Sequence, residues 1–234
     1  MNEFVSYPFI RTNILVTQQS VRDNPYTWDN TGVGLTELEL VNKFVSYIKD
    51  EFTILDIGAQ SGCFSLAARY YPNTIWHSFE PDPSNYSLLL DNLKLNNIHN
   101  VNTYETALSD KVGEATLKIC DFHKGLNTLG ENLIRFSPEN SINCIVETNT
   151  IDNLFLSKKI DLIKIDTEGS EYDIIKGGIQ TIEKYKPKIL LEYYQDNLNQ
   201  FGKKTNDIDE LLEEINYKIS WVFAENIFIE PRTR

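Results

Sequence analysis

From residue 52 onward, short apolar runs alternate with stretches whose apolar positions recur at helical spacing. The runs at 52–57, 74–79, 100–107, 161–166 and 188–193 read as strands. Between them, residues 62–71 read as a helix stopped before Pro72. Pro83 opens another helix through Tyr86, Leu89, Leu90 and Leu93, since proline suits a first helical turn. Residues 170–184, closed by Pro187, and 207–215 read as further helices. Strands alternating with helices predict a parallel sheet and an α/β fold. Tyr217–Phe223 and Ile227–Ile229 then predict a closing antiparallel hairpin.

The flanks of this alternation are less regular. Residues 1–35 read as an irregular N-terminal cap, and 36–234 as one domain. In residues 37–48 apolar side chains fall at 38, 41, 44, 45 and 48, a helical stripe. Thr36 and Glu39 have the spacing of a capping box at its start. Gly113 followed by residues 114–119 reads as a turn and an extra strand. Residues 121–138 read as a loop, and 142–149 as another strand.

The apolar run 53–57 leads directly into Asp56-x-Gly58-x-x-x-Gly62, and the next run ends in Glu80, 24 residues after Asp56. A βαβ unit takes about 30 residues. Adjacent parallel strands would therefore bring both carboxylates to one sheet edge, where open α/β sheets bind nucleotides. Glu80 is placed to accept hydrogen bonds from ribose hydroxyls. Asp56 stands where a dinucleotide fingerprint requires glycine, and an acid there repels a pyrophosphate. A cationic sulfonium is favoured instead, which points to S-adenosylmethionine (SAM) rather than NAD.

The densest acidic cluster is Asp166-Thr-Glu168-Gly-Ser-Glu171, directly after an apolar strand. Asp166 and Glu168 at the end of that strand converge with Glu192 at the end of the next. Such a group has two chemical uses. It can bind a hard divalent cation such as Mg²⁺, or remove a proton from a substrate hydroxyl. Glu171 reads more simply as an acid in a first helical turn, favoured by the helix dipole. His123 and Lys124 read as solvated loop residues. Tyr7, Phe9, Tyr26 and Trp28 read as packing the cap onto the domain.

Composition narrows the partners. The formal net charge of −12 disfavours a phosphate backbone, so nucleic acid is not expected as substrate. Three widely spaced cysteines, with no Cys-x-x-Cys, argue against a disulfide framework or zinc site. No basic-then-apolar leader and no membrane-length apolar run is visible, and a cytoplasmic setting is expected.

Taken together, Asp56-Ile-Gly-Ala-Gln-x-Gly62, Phe79-Glu-Pro-x-Pro83, Ala107-Leu-Ser-Asp110 and above all Ile163-Lys-Ile-Asp-Thr-Glu-Gly-Ser-Glu171 resemble the FkbM family of SAM-dependent methyltransferases. The resemblance runs from residue 52 to about 195 and differs at Gln60, where the family often has Asn. It implies a Rossmann-like class I fold with a mostly parallel seven-stranded sheet and a C-terminal antiparallel hairpin. It also implies O-methylation, often of sugar hydroxyls in glycans, glycolipids or small glycosylated products. In that reading Asp56, Gly58, Ala59, Ser61 and Gly62 hold the methionine end of SAM. Glu80 holds the ribose and Ala107 the adenine edge, and Pro81 is a further cofactor-binding residue. A more distant similarity to metal-dependent deoxysugar methyltransferases implies Asp166 and Glu192 as metal ligands and Glu168 as base. Three other readings compete: an RNA-directed methyltransferase, a non-catalytic SAM- or nucleotide-binding module, and an NAD-dependent oxidoreductase.

Overall fold

The structure, a computed structural model, describes residues 4–9, 12–23, 28–29, 32–120, 124–130 and 141–232. The N-terminal part is more ordered than the sequence suggests. Strands β1 (Phe4–Phe9) and β2 (Thr12–Thr17) pair as an antiparallel hairpin, followed by helix α1 (Gln18–Asp23). Short strands β3 (Trp28–Asp29) and β4 (Gly32–Val33) form a second hairpin before helix α2 (Leu35–Val45). The expected capping box is not formed. Gly34 takes the N-cap position without a side-chain bond, and Thr36 lies inside the first turn.

The alternation then unfolds much as the pattern predicts. It comprises β5 (Thr53–Ile57), β6 (Ile75–Phe79), α3 (Pro83–Leu95) and β7 (Val101–Tyr104). Asp82 caps α3 by accepting from the Ser84 N–H at 2.8 Å. The chain departs from the main sheet through β8 (Ala107–Leu108), β9 (Gly113–Cys120) and β10 (Ser141–Asn149), which form their own three-stranded sheet. It returns through α4 (Ile151–Phe155), β11 (Leu162–Ile165), α5 (Glu171–Lys176), α6 (Ile179–Tyr185) and β12 (Lys188–Glu192). Helices α7 (Gln195–Asn199) and α8 (Thr205–Glu214) and strands β13 (Tyr217–Phe223) and β14 (Asn226–Pro231) close the domain.

Two predicted helices differ in detail. Residues 62–71 hold a tighter 3-10 turn, Ser65–Tyr70, instead of an α-helix, and it seats the Ser65 hydroxyl on Asp56. The helix expected at 170–184 breaks at Gly177–Gly178. A Cβ on Gly177 would lie 2.1 Å from the Ser109 carbonyl oxygen, so the close approach of that loop requires glycine. The expected third strand stops at Tyr104, and Ala107 belongs to the smaller sheet.

The main sheet has seven strands in the order β13-β14-β12-β11-β5-β6-β7. The strands from β12 to β7 run parallel, and β14 pairs antiparallel with both β12 and β13. Successive strand residues face opposite sides, so two cores flank the sheet. Ile54, Trp76, Leu162, Leu190 and Phe228 pack beneath α2 and α3. Leu55, Phe79, Ile163, Leu191 and Ile229 pack against α4, α6 and α8. Strand order reverses between β5 and β11, which opens a crevice at their carboxyl ends. Among the described residues, no helix is long and apolar enough to cross a membrane.

Candidate active site

A cavity of about 270 Å³ occupies that crevice. Its floor is the turn after β5, where Gly58 (φ +74°) and Gly62 (φ +100°) adopt backbone angles that favour glycine. The Gly58 and Ala59 amides donate to the Phe79 carbonyl at 3.0 and 2.9 Å, tying the turn to β6. Asn92 of α3 donates to the Ser61 carbonyl at 2.8 Å and accepts from the Thr17 amide at 2.9 Å. The N-terminal hairpin is thus linked to the glycine turn through one side chain.

Glu80 leaves the end of β6 and lines the cavity. Its two oxygens accept from the Gln60 amide at 2.8 Å and the Asp82 amide at 2.9 Å. Those bonds aim the carboxylate, and each oxygen retains a lone pair. Burial pushes its pKa from 4.5 to about 7, against the lowering effect of the two amides. Gly58, Ala59, Pro81 and Ala107 line the same cavity.

Asp56 does not. Its carboxylate is fully buried under the turn, where Oδ2 accepts from the Ser65 hydroxyl at 2.5 Å. The Lys164 ammonium lies 3.6 Å from Oδ1. Ser61 and Gly62 also shape the turn from below without lining the cavity. Of the residues expected to hold the methionine end of SAM, these three lie outside the cavity lining. An acid inside a strand points into the layer beneath the sheet, not past its end.

At the far wall, Asp166, Glu168 and Glu192 converge, with carboxylate oxygens within 4.8 Å of one another. Glu168 has φ +57°, and Gly169 beside it has φ +116°. A Cβ on Gly169 would lie 2.4 Å from the Asn197 carbonyl, so this loop packs tightly on α7. Asn197 donates to Glu168 at 2.8 Å and to both oxygens of Glu192 at 3.2 Å. Burial, then the charges of Glu168, Asp166 and Glu171, raise the Glu192 pKa well above the usual carboxylate range. Glu171 holds the loop by accepting from the Thr167 amide at 2.9 Å and the Gly169 amide at 3.2 Å.

Three site residues escaped the sequence reading. Lys164 lies 3.7 Å from Asp166 and donates to the Gly58 carbonyl at 2.5 Å. A charged residue inside an otherwise apolar strand was its visible signal. Asn197 had none, because α7 was not predicted. Glu37, in the first turn of α2, faces the cavity and looked like an ordinary helix-start acid. Its pKa is pushed up to about 7 by burial, then by Asp166, with Lys164 opposing and Asp56 adding a smaller rise. His123, Tyr26 and the side chains of Tyr7, Trp28 and Lys124 lie outside the described residues. Phe9 is buried, near-parallel to Tyr70 at 6.3 Å, in keeping with a packing role.

A mostly parallel seven-stranded sheet closed by an antiparallel hairpin, with an acid-lined crevice at its switch point, is a Rossmann-like fold of the kind solved methyltransferases have. The sequence model described as the methyltransferase FkbM domain matches residues 56–219. The chain belongs to that family, and is a SAM-dependent methyltransferase of the FkbM type.

Relatives agree at the level of fold and family. Methyltransferase 1 of Beauveria bassiana (strain ARSEF 2860) is 24% identical over 189 residues, covering 70% of this chain and 76% of that protein. Methyltransferase sdnD of Sordaria araneosa is 28% identical over 153 residues, covering 53% and 59%. The crystal structure of methyltransferase FkbM from Methylobacillus flagellatus KT superposes with a TM-score of 0.53 at 16% identity. That match covers 78% of this chain but only 44% of the bacterial protein. The precorrin-6y C5,15-methyltransferase of Geobacter metallireducens GS-15 gives a TM-score of 0.54 at 18% identity, covering 96% of this chain and 97% of that one.

Proposed function

We propose that the chain transfers the methyl group of SAM to a hydroxyl oxygen, that of a sugar in a glycan, glycolipid or glycosylated metabolite. The observation that carries this reading is the convergence of Asp166, Glu168 and Glu192 on a cavity whose neighbouring wall bears Glu80. The lining suits a cationic nucleoside. Glu37, Glu80, Asp166, Glu168 and Glu192 face it against Lys164, while Phe79, Leu108 and Leu126 offer apolar surface to a base ring.

When bound, SAM supplies an electrophilic methyl group on a sulfonium. The protein's own task is alignment and proton removal. Glu80 holds the ribose hydroxyls, and Ala107 borders the adenine. Holding donor and acceptor in line contributes roughly 7–11 kcal/mol to such a transfer. A sugar hydroxyl barely ionises near neutral pH, so a base is required. Glu168 takes that role, with Asn197 fixing its carboxylate. The hard oxygen donors of Asp166 and Glu192 also suit a divalent cation such as Mg²⁺, which would lower the pKa of a bound hydroxyl. The net charge of −12 supports a small-molecule or glycan acceptor over RNA or DNA.

The test is a thermal-shift and turnover series. SAM and its demethylated product S-adenosylhomocysteine (SAH) should raise the melting temperature by linkage, and NAD should not. Glu80→Ala should abolish the shift while the protein stays folded. Labelled SAM is then offered with RNA, DNA, protein and a panel of deoxysugar and glycan acceptors. Turnover on RNA with none on glycans would overturn the acceptor assignment.

A further inference from the structure

The glycine turn leaves one task without an obvious owner. Asp56 is turned away from the cavity and engaged with Ser65 and Lys164, so it cannot reach a ligand. The carboxylate that does face the cavity above this turn is Glu37, from the first turn of α2. It shares that wall with Leu40, Cys63 and Phe64, and its charged neighbours are Asp166, Lys164 and Asp56. Glu37 thus overlooks the carboxyl ends of β5 and β11. Within the described residues no hydrogen-bond donor reaches its carboxylate.

The local charge is unbalanced. Lys164 is the cation on this wall, and it is shared between Asp56 at 3.6 Å and Asp166 at 3.7 Å while donating to the Gly58 carbonyl. A carboxylate facing a cavity without a donor calls for a ligand cation. Burial and the neighbouring acids push the Glu37 pKa up to about 7, and a cation bound beside it would oppose that rise.

SAM carries two cationic centres, the reacting sulfonium and the α-ammonium of its amino-acid end. The sulfonium must lie beside the acceptor hydroxyl and hence near Glu168. A short aliphatic chain then carries the ammonium toward the turn beneath α2. We infer that Glu37 is the residue that grips the α-ammonium of the cofactor, at the methionine end that the resemblance gives to Asp56 and the glycine turn. The inference rests on SAM being the cofactor and gives helix α2 a direct part in binding it.

The experiment compares two ligands by calorimetric titration of the wild type and Glu37→Gln. SAH carries the ammonium. Methylthioadenosine has the same adenine and ribose and lacks the amino-acid end. Glu37→Gln should weaken SAH roughly 10–100-fold, the effect of losing a charge-assisted bond. Methylthioadenosine affinity should stay within about twofold, which also shows that the variant is folded. Unchanged SAH affinity, or equal losses on both ligands, would overturn the inference. So would a fall in turnover with SAH affinity intact, which would make Glu37 a catalytic group instead. Failure of the wild type to bind SAH would sink the cofactor reading itself along with the inference. Normal wild-type binding with an indifferent variant would sink the inference alone.

Discussion

Lys164 and Asp56 are register partners on adjacent parallel strands, with Nζ and Oδ1 3.6 Å apart on one face of the sheet. Ser78 is the next partner in the same row, and Ser65 bridges it to Asp56 with hydrogen bonds of 2.7 and 2.5 Å. A polar seam therefore crosses an otherwise apolar layer directly under the glycine turn. Burial tends to lower the Lys164 pKa, but Asp166, Asp56, Glu37 and Glu80 outweigh it and raise the value, so the side chain stays charged.

Lys164→Met should destabilise the protein strongly. It leaves Asp56 buried without its cation, and breaking such a pair costs about 3–5 kcal/mol. Adding Asp56→Asn should recover much of the loss, because the orphaned charge is then gone. Urea denaturation of both single variants and the double variant gives the coupling energy. Additive losses would mean that the two side chains are energetically independent.

Ligand-free stability should fall as pH rises from about 4.5 to about 7. In the unfolded chain Glu80 loses its proton near 4.5, and in the folded protein it holds it to about 7. The folded state binds more protons across that window, so its advantage is full at the acid end and lost at the alkaline end. Glu37 adds in the same sense. Glu80→Gln, neutral at every pH, should flatten the slope of melting temperature against pH. A slope unchanged in that variant would show that Glu80 is ionised well below 7.

Glu168→Gln should lower turnover by ~10²–10⁴-fold, the usual worth of a general base. SAM affinity should change little, because the substitution keeps the size of a side chain placed at the acceptor wall. Rapid-quench turnover with separate SAH titration distinguishes the two effects. Near-normal turnover would leave proton removal to another group.

Chelator treatment separates the two uses of the acidic group. If Asp166 and Glu192 hold a divalent cation during the reaction, chelator silences the wild type and Mg²⁺ restores it. Full activity in chelator would mean that these carboxylates act without a metal.

Much of the architecture was written in local patterning. Strand ends, the proline-started helix at Pro83 and the closing hairpin follow from periodicity and from the chemistry of single residues. These depend on neighbours in the chain, so sequence alone determined them. It also determined the acidic crevice, because a carboxylate at the end of a parallel strand must emerge at the sheet edge. Glu80, Asp166 and Glu192 arrive there as expected.

Tertiary structure decided the direction in which each carboxylate works. Asp56 and Glu80 look equivalent in the sequence. Asp56 sits inside its strand and turns into the layer under α2, while Glu80 lies beyond its strand and faces the cavity. Glu80 lies two register positions beyond Ser78, the partner of Asp56, so it clears the strand end while Asp56 stays inside the sheet as part of a buried seam. Glu37 reaches the site from a helix far from the acidic cluster in the chain, and Asn197 from the short helix just after β12. Their part depends on helix packing against the sheet, which no local pattern encodes. The break at Gly177 has the same origin, since only the folded chain brings Ser109 against it.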